Sequence, residues 1–131
     1  MPEKKQGFTK NERLCSLKLI EGLFNNGKVV FNYPFRIIWK QSTLETPFPS
    51  QVGITVPKRN FKKAVHRNLL KRRIREAFRK QKAILYAPLN ARGITIIFMI
   101  QYIGKEIADY NAIEEAVAGA LHKLADAACA K

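Results

Sequence analysis

Apolar residues early in the chain recur at the spacing of one helical turn. Ile20 and Phe24 lie one turn apart, Ser16 can cap the helix that they predict, and the Asn-Asn-Gly sequence after them is a typical helix stop. We therefore predict a first helix over about 16–25. The Thr-Lys-Asn-Glu sequence at 9–12 has the form of a capping box and favours an extra turn before that helix.

Four later segments have the alternation or the continuous apolar character of strands. They are KVVF at 28–31, FRIIWKQ at 35–41, VGITVP at 52–57 and ITIIFMI at 94–100. In the second segment, alternation assigns Phe35 and Trp39 to the core and Arg36 and Ile38 to the opposite face of the sheet. The last segment is apolar at almost every position, which is typical of a strand covered on both faces.

Two further helices complete a predicted order of α-β-β-β-α-β-α. A long helical segment covers about 61–84 and is ended by APLNARG at 87–93, and a last helix begins near Asp109 as its N-cap. Because a helix joins the third and fourth strands, we expect those two strands to be parallel. The prediction is one α/β (α+β) domain over residues 1–131, a two-layer sandwich whose first ten residues are loose.

Composition adds a strong positive charge to this picture. Lysine and arginine total 24 against 10 acidic residues, and the formal net charge is +14. Self-repulsion of that size favours a partner that neutralises it, and nucleic acid is the first candidate. A membrane is less favoured, because the longest apolar run, at 94–100, is far shorter than the roughly 20 residues of a spanning helix. The N-terminal segment lacks the apolar core of a signal peptide, so we expect a cytoplasmic location.

Most of the net positive charge lies between residues 58 and 80, where eleven cations accompany the single acid Glu76. At about 100° per residue, the helix predicted there has an apolar stripe and a neighbouring polar face. The stripe comprises Leu70, Ile74, Ala77 and Phe78, and the polar face, called the basic face below, comprises Asn68, Lys71, Arg72, Arg75 and Arg79. Packing of the stripe on the sheet would direct the basic face outward.

A solvated helix surface is the alternative to an RNA-binding surface. Solvated faces usually mix charges, because like charges four residues apart oppose each other by roughly 0.2–0.5 kcal/mol per pair. Lys71 and Arg75 form such a pair, as do Arg75 and Arg79, with no acid set to relieve either. Phosphates would remove the repulsion by hydrogen bonding and by counterion release. Asn68 could donate to RNA or, alternatively, cap a helix.

The segment VPKRNFKKAVHRNLLKRRIREAFR at 56–79 resembles the signature of the protein subunit of bacterial ribonuclease P. That signature has a valine, a small residue, two basic residues, a short basic linker and an alanine, followed by Arg-Asn-Arg-x-Lys-Arg-x-x-Arg-Glu. The segments RLCSLKLIEGLFNNG at 13–27, FRIIW and VGITVPK also fall where that family has its first helix and its strands. The resemblance covers nearly the whole chain.

The resemblance implies a ribonucleoprotein function. The family protein binds a large catalytic RNA, and together they remove the 5′ leader of precursor tRNA, which is an endoribonuclease activity in tRNA processing. The RNA with bound Mg²⁺ would hydrolyse the phosphodiester bond, and the protein itself would bind no cofactor. The resemblance also implies a mixed four-stranded sheet with a left-handed β-α-β crossover, an exception to the usual handedness.

The motif and the basic face together assign RNA binding to a set of residues in and before the middle helix. They are Lys58, Arg59, Arg67, Asn68, Lys71, Arg72, Arg75 and Arg79. Leu69 departs from the motif, because the family usually has arginine there, so that one RNA contact is either missing or supplied by Arg73. Lys63 replaces a common asparagine and adds a charge.

The family also has a cleft between the first helix and the sheet that holds the single-stranded leader. The matching positions here are Ile20, Phe24, Arg36 and Ile38. Phe24 could stack on a base, which contributes about 1–3 kcal/mol, or it could pack in the core. Ile20 and Ile38 stand where the family often has aromatic residues, so stacking would be poorer there and Arg36 could compensate electrostatically.

The sequence offers no catalytic or metal site of its own. His66 and His122 are far apart along the chain, the acidic residues are scattered, and Cys15 and Cys129 lack metal or redox spacing and are expected to be reduced thiols. Two other functions stay open. One is a structural RNA-binding protein of the ribosomal type, and the other is a protein-only nuclease, which the lack of a carboxylate cluster disfavours.

Overall fold

A computed structural model describes residues 12–14, 16–44 and 47–130, and four helices and four strands lie within them. They are α1 (Leu17–Asn26), β1 (Lys28–Asn32), β2 (Phe35–Gln41), β3 (Ser50–Thr55), α2 (Ala64–Gln81), α3 (Ala83–Arg92), β4 (Ile96–Tyr102) and α4 (Tyr110–Cys129). The predicted order is confirmed, except that two helices precede the last strand where one was expected. The predicted loose segment 1–10 and Cys15 lie outside the described residues.

The four strands form one mixed sheet in the order β1-β2-β4-β3. The pairs β1–β2 and β2–β4 are antiparallel, and β3 and β4 are parallel as the sequence predicted. Strand β4 lies inside the sheet, and all of its residues except Gln101 are buried. The continuous apolar run in the sequence is therefore explained by a strand with partners on both sides and cover on both faces.

The two faces of the sheet are covered to different extents. One face packs against α2, α3 and α4, and Phe35, Ile37 and Trp39 belong to this main core. On the other face, α1 inserts Leu23 into a smaller cluster that includes Ile38. The predicted sandwich is thus confirmed, and the second face retains uncovered sheet surface beyond α1.

Side-chain caps begin α1 and α4 as the sequence indicated. The Ser16 hydroxyl accepts a hydrogen bond from the Leu19 N–H at 3.3 Å. The Asp109 carboxylate accepts one from the Ala112 N–H at 2.8 Å. Each cap satisfies one of the N–H groups that has no acceptor within the helix.

The prediction that APLNARG ends the middle helical segment is wrong. Helix α3 continues through Pro88 to Arg92 and buries Leu85 and Leu89, one turn apart, in the main core. Burial of two leucines contributes about 1.5–3 kcal/mol each, which outweighs the roughly 3 kcal/mol that an interior proline costs. The helix ends instead at Gly93, whose φ of 66° suits glycine.

Two predicted strands are displaced by two residues. Strand β3 ends at Thr55 rather than at Pro57, which has no N–H to donate to a neighbouring strand. Strand β4 begins at Ile96 rather than at Ile94, because the Ile94 N–H bonds to the Leu89 carbonyl at 3.0 Å and completes the end of α3. In both cases the apolar pattern continues into the turn beside the strand.

A buried ion pair connects the segment before α1 to the junction of α2 and α3. The Lys82 Nζ lies 2.7 Å from the Glu12 Oε2, and the Tyr86 hydroxyl donates to the same oxygen at 2.6 Å. The ammonium of Lys82 also lies 5.6 Å from the centre of the Phe48 ring. Burial, and then the hydrogen bond to Glu12, raise the pKa of Tyr86, which keeps that hydroxyl a donor.

We predict that Lys82→Met lowers the free energy of unfolding by about 3–5 kcal/mol, because the buried Glu12 carboxylate would lose the cation that lies 2.7 Å from it. Chemical denaturation measures the loss. Lys62→Met is a matched control at an exposed lysine and should change stability by less than about 0.5 kcal/mol. Adding Glu12→Gln to Lys82→Met should recover part of the loss, because the buried side chain is then neutral. Equal stability of Lys82→Met and Lys62→Met would show that the buried ion pair does not stabilise the fold.

Candidate nucleic-acid interface

The apolar stripe predicted in the basic segment determines how α2 is oriented. Leu70, Ile74, Ala77 and Phe78 are all fully buried in the main core. Their spacing of three and four residues keeps them on one side of the helix, so the remaining side chains must point away from the sheet. This part of the sequence prediction is confirmed.

The opposite side of α2 carries the basic face. At about 100° per residue, four of its members project within an arc of roughly 60°. They are Asn68, Arg72, Arg75 and Arg79. Lys71 lies farther round the helix and is half-buried, whereas Asn68, Arg72 and Arg75 are exposed. The exposed Val65 borders the same side, at 66% exposure.

The members of the basic face differ in whether their side chains already have a partner within the protein. Within the described residues, Asn68, Lys71, Arg72 and Arg75 form no hydrogen bond or ion pair through their side chains. Because nothing in that part of the chain neutralises them, the three cations remain available to an external anion. Lys58 and Arg59 are also exposed, in the turn that leads from β3 to α2.

Arg79 is different, because it forms an ion pair with Glu76 one turn away. Its Nη2 lies 2.5 Å from the Glu76 Oε2, and its Nε donates to Oε1 at 3.0 Å. The hydrogen bond from Arg79 lowers the pKa of Glu76, and the charge of Arg79 contributes in the same direction. Arg79 therefore lies on the basic face with its charge locally compensated, which corrects the expectation that no acid relieves the Arg75–Arg79 pair.

Two other arginines of α2 bind loops of the protein itself. The Arg67 guanidinium donates to the carbonyls of Phe61 and Lys62 at 2.8 and 2.9 Å, which holds the loop before the helix. The Arg73 guanidinium donates to the Ala108 carbonyl at 2.6 Å, near the start of α4. Arg73 therefore does not project beside Leu69 as a substitute for the arginine that is absent there.

The second face of the sheet carries a row of side chains that α1 does not bury. Pairing between strands sets four residues side by side on that face. They form what we call the open row: Phe31, Arg36, Gln101 and Thr55. Arg36 donates to the Gln101 side-chain oxygen across the β2–β4 pair. Lys40, two positions beyond Ile38 on the same strand face, lies beside Gly22 of α1.

The four residues predicted to line a groove here have different environments. Phe24 is 49% exposed, because the adjacent Leu23 fills the small core instead. Arg36 is half-buried in the open row, and Ile20 packs partly against the small core. Ile38 is only 4% exposed beneath α1, so the expectation that it presents an outward surface is not met.

Outside this region, a cavity of about 700 Å³ lies among the described residues, at the end of the sheet near the start of α4. Its lining includes the exposed Tyr33 and Ile103, with Glu106 and Glu115, and Lys105 is the one cation among the described lining residues. This balance of charge does not favour the binding of a polyanion in the cavity. No helix within the described ranges is long and apolar enough to cross a bilayer.

Comparison with known proteins gives the family. The family model described as Ribonuclease P matches residues 8–125. The chain belongs to the ribonuclease P protein family. The ribonuclease P protein component of Porphyromonas gingivalis is 34% identical over 121 residues, which cover 91% of this chain and 87% of that protein. That of Chlorobium phaeobacteroides is 28% identical over 125 residues, covering 88% and 86%.

Solved ribonuclease P proteins have the same fold. The protein from Thermotoga maritima is 25% identical, with a TM-score of 0.68 over 85% of this chain and 96% of that one. The protein from Staphylococcus aureus, at 20% identity, has a TM-score of 0.66 over 84% and 92%. At 20% identity, the likeness to the Staphylococcus aureus protein concerns the fold alone.

The remaining candidate residues are His66, His122 and Cys129, and each has ordinary surroundings. His66 is half-buried in the first turn of α2, and His122 is exposed on α4. No group of three or more metal-binding side chains occurs in the part of the chain that the structure describes. Cys129 is a free thiol whose Sγ lies 3.7 Å from the Pro88 carbonyl.

Proposed function

We propose that this chain is the protein subunit of a ribonuclease P ribonucleoprotein, which binds a catalytic RNA and the 5′ leader of precursor tRNA during tRNA 5′ maturation. The observation that carries the proposal is the set of exposed polar side chains on α2 that have no partner among the described residues, chiefly Asn68, Arg72 and Arg75. Membership of the family supports the assignment. A cytoplasmic location is part of the proposal.

The catalytic RNA is assigned to the basic face. Guanidinium groups donate two parallel hydrogen bonds to a phosphate, and neutralised phosphates release counterions. Arg72 and Arg75 would make such contacts, with Lys71 beside them and Lys58 and Arg59 extending the cationic surface along the preceding turn. Arg67 would contribute chiefly by holding that turn in place, because its guanidinium is bound to the backbone carbonyls of Phe61 and Lys62.

The leader is assigned to the region where α1 meets the open row. A single strand needs a cationic track for its phosphates and exposed rings for its bases. Phe24 on α1 supplies a ring, and Arg36 and Lys40 supply charge on the facing strand β2. Arg36 keeps a defined position because its guanidinium is bound to Gln101.

The hydrolytic chemistry is assigned to the RNA partner, with Mg²⁺ held by RNA rather than by this chain. The one acid within α2, Glu76, is engaged by Arg79 and therefore is not a suitable ligand beside the basic face. The chain's own contribution is to bind and orient: its cations reduce the repulsion between catalytic RNA and substrate when both are brought together.

The proposal is tested by adding the purified chain to precursor tRNA with and without the catalytic RNA at moderate Mg²⁺ concentration. We expect leader removal to be stimulated only when chain and RNA are both present. Cleavage by the chain alone would indicate a protein-only nuclease. Absence of any stimulation, combined with retained RNA binding, would favour a structural RNA-binding protein.

We predict that Arg72→Ala and Arg75→Ala each weaken binding to the catalytic RNA and leave folding unchanged. Each lost phosphate contact should make the plot of log K against log salt shallower by about 0.7–0.9. Arg92→Ala is the matched control, because Arg92 is an exposed arginine on the last turn of α3. A slope that does not change in the α2 variants would exclude phosphate contacts by those residues.

We predict that Phe24→Ala weakens binding of precursor tRNA by the reconstituted enzyme by about 5- to 100-fold, as expected for loss of one stacked base. Mature tRNA, which has no leader, should bind as it does to the unaltered enzyme. Affinities for both RNAs give the comparison. Equal weakening for both RNAs would show that Phe24 acts through the structure of α1 rather than through the leader.

A further inference from the structure

We propose that Phe31 is a second stacking platform, which extends the leader site from α1 across the sheet to the outer edge of β1. This inference rests on the proposed function, because its occupant is an unpaired nucleotide of the same leader, farther along the strand than the nucleotide at Phe24. Nothing in the sequence motif points to Phe31, which the pattern of 28–31 shows only as part of an apolar strand.

The first observation is the exposure of Phe31 on the proposed RNA side. Its ring is 58% exposed, although it lies in a regular strand. Phe31 pairs with Arg36, so both side chains project from the same face of the sheet, and the alternate residues Val30 and Asn32 project toward the helices. In the sheet that the described residues form, β1 is an edge strand, so no strand pairs with its outer side.

The second observation is that the backbone around Phe31 is held firmly from behind. The Asn32 side-chain amide donates to the Ala116 carbonyl of α4 at 2.8 Å. The Lys123 Nζ donates to the Phe31 carbonyl at 3.0 Å. Gly119 makes this approach possible, because a Cβ there would lie 2.8 Å from the Asn32 amide nitrogen. The exposed ring therefore belongs to a strand that α4 holds in place, so the protein would lose little conformational entropy when a nucleotide binds.

The third observation is the charge around the ring, which favours a nucleic acid as occupant. Arg36 lies directly across from Phe31, and Lys40 lies farther along the same face of β2. Lys123 lies at the edge of β1 behind the ring. An exposed aromatic ring on a sheet face that also carries cations suits a base and its phosphates, because the ring can stack while the cations neutralise the backbone along the strand.

The experiment measures the affinity of the reconstituted enzyme for precursor tRNAs whose leaders increase in length from one to about ten nucleotides. With the unaltered chain, affinity should rise first when the leader reaches Phe24, and a second time when it is long enough to reach Phe31 on β1. Phe31→Ala should remove this second rise, a loss of about 5- to 10-fold for long leaders, and leave short leaders unaffected. Phe31→Tyr should retain the rise, and Phe31→Leu should lose it.

Tyr33→Ala is the matched control, because Tyr33 is an exposed aromatic residue of the same hairpin that lines the cavity near α4 rather than the open row. It should behave as the unaltered chain does. Thermal unfolding of each variant establishes that the fold is intact, and Phe31→Leu serves as a second variant without a stacking ring if Phe31→Ala is unstable.

Several results would overturn the inference. A loss that is the same at every leader length would indicate a structural role for Phe31. If Phe31→Leu kept the full affinity for long leaders, Phe31 would make only an apolar contact. If the Phe31 variants changed the sedimentation of the chain without changing leader affinity, the β1 edge would pair with a second copy. If the unaltered chain gives no leader-dependent affinity at all, the proposed function itself fails; normal leader dependence with silent Phe31 variants overturns only this inference.

Discussion

Burial of the apolar stripe of α2 against the sheet is the constraint on which the arrangement of charge depends. Leu70, Ile74 and Phe78 are fully buried, and each contributes about 1.5–3 kcal/mol. Repulsion between like charges four residues apart costs only about 0.2–0.5 kcal/mol per pair. Packing therefore outweighs repulsion several-fold, and the helix forms with Arg72 and Arg75 held outward before any RNA is present. The fold alone orients this surface, and a bound polyanion would relieve the repulsion between its charges.

Local sequence patterns predicted those parts of the fold that local interactions determine. The stripe in α2 and the caps at Ser16 and Asp109 follow from spacing and from residue type, and both are confirmed. The continuation of α3 through Pro88 was missed, because it depends on burial against α4, which is distant in the sequence. The Glu12–Lys82 pair was missed for the same reason, since 70 residues separate its partners.

The candidate site shows the same division between local and distant effects. Alternation correctly set Arg36 and Ile38 on one face of β2, but only the position of α1 decides that Ile38 is covered while Phe31, on the neighbouring strand, remains exposed. Motif position likewise treats the arginines of α2 alike. The structure separates Arg67, which binds backbone carbonyls of the preceding loop, from Arg72, which has no partner among the described residues.

The most direct test of the central claim is to map which RNA lies beside the outward side of α2. A hydroxyl-radical probe is attached at Val65→Cys, which adjoins the basic face without removing a cation, in a chain whose own cysteines are replaced by serine. A second chain carries the probe at His122→Cys on α4. We expect cleavage of the catalytic RNA at a few discrete nucleotides from position 65 and none from position 122. Equal cleavage from both positions, or cleavage from 122 alone, would contradict it.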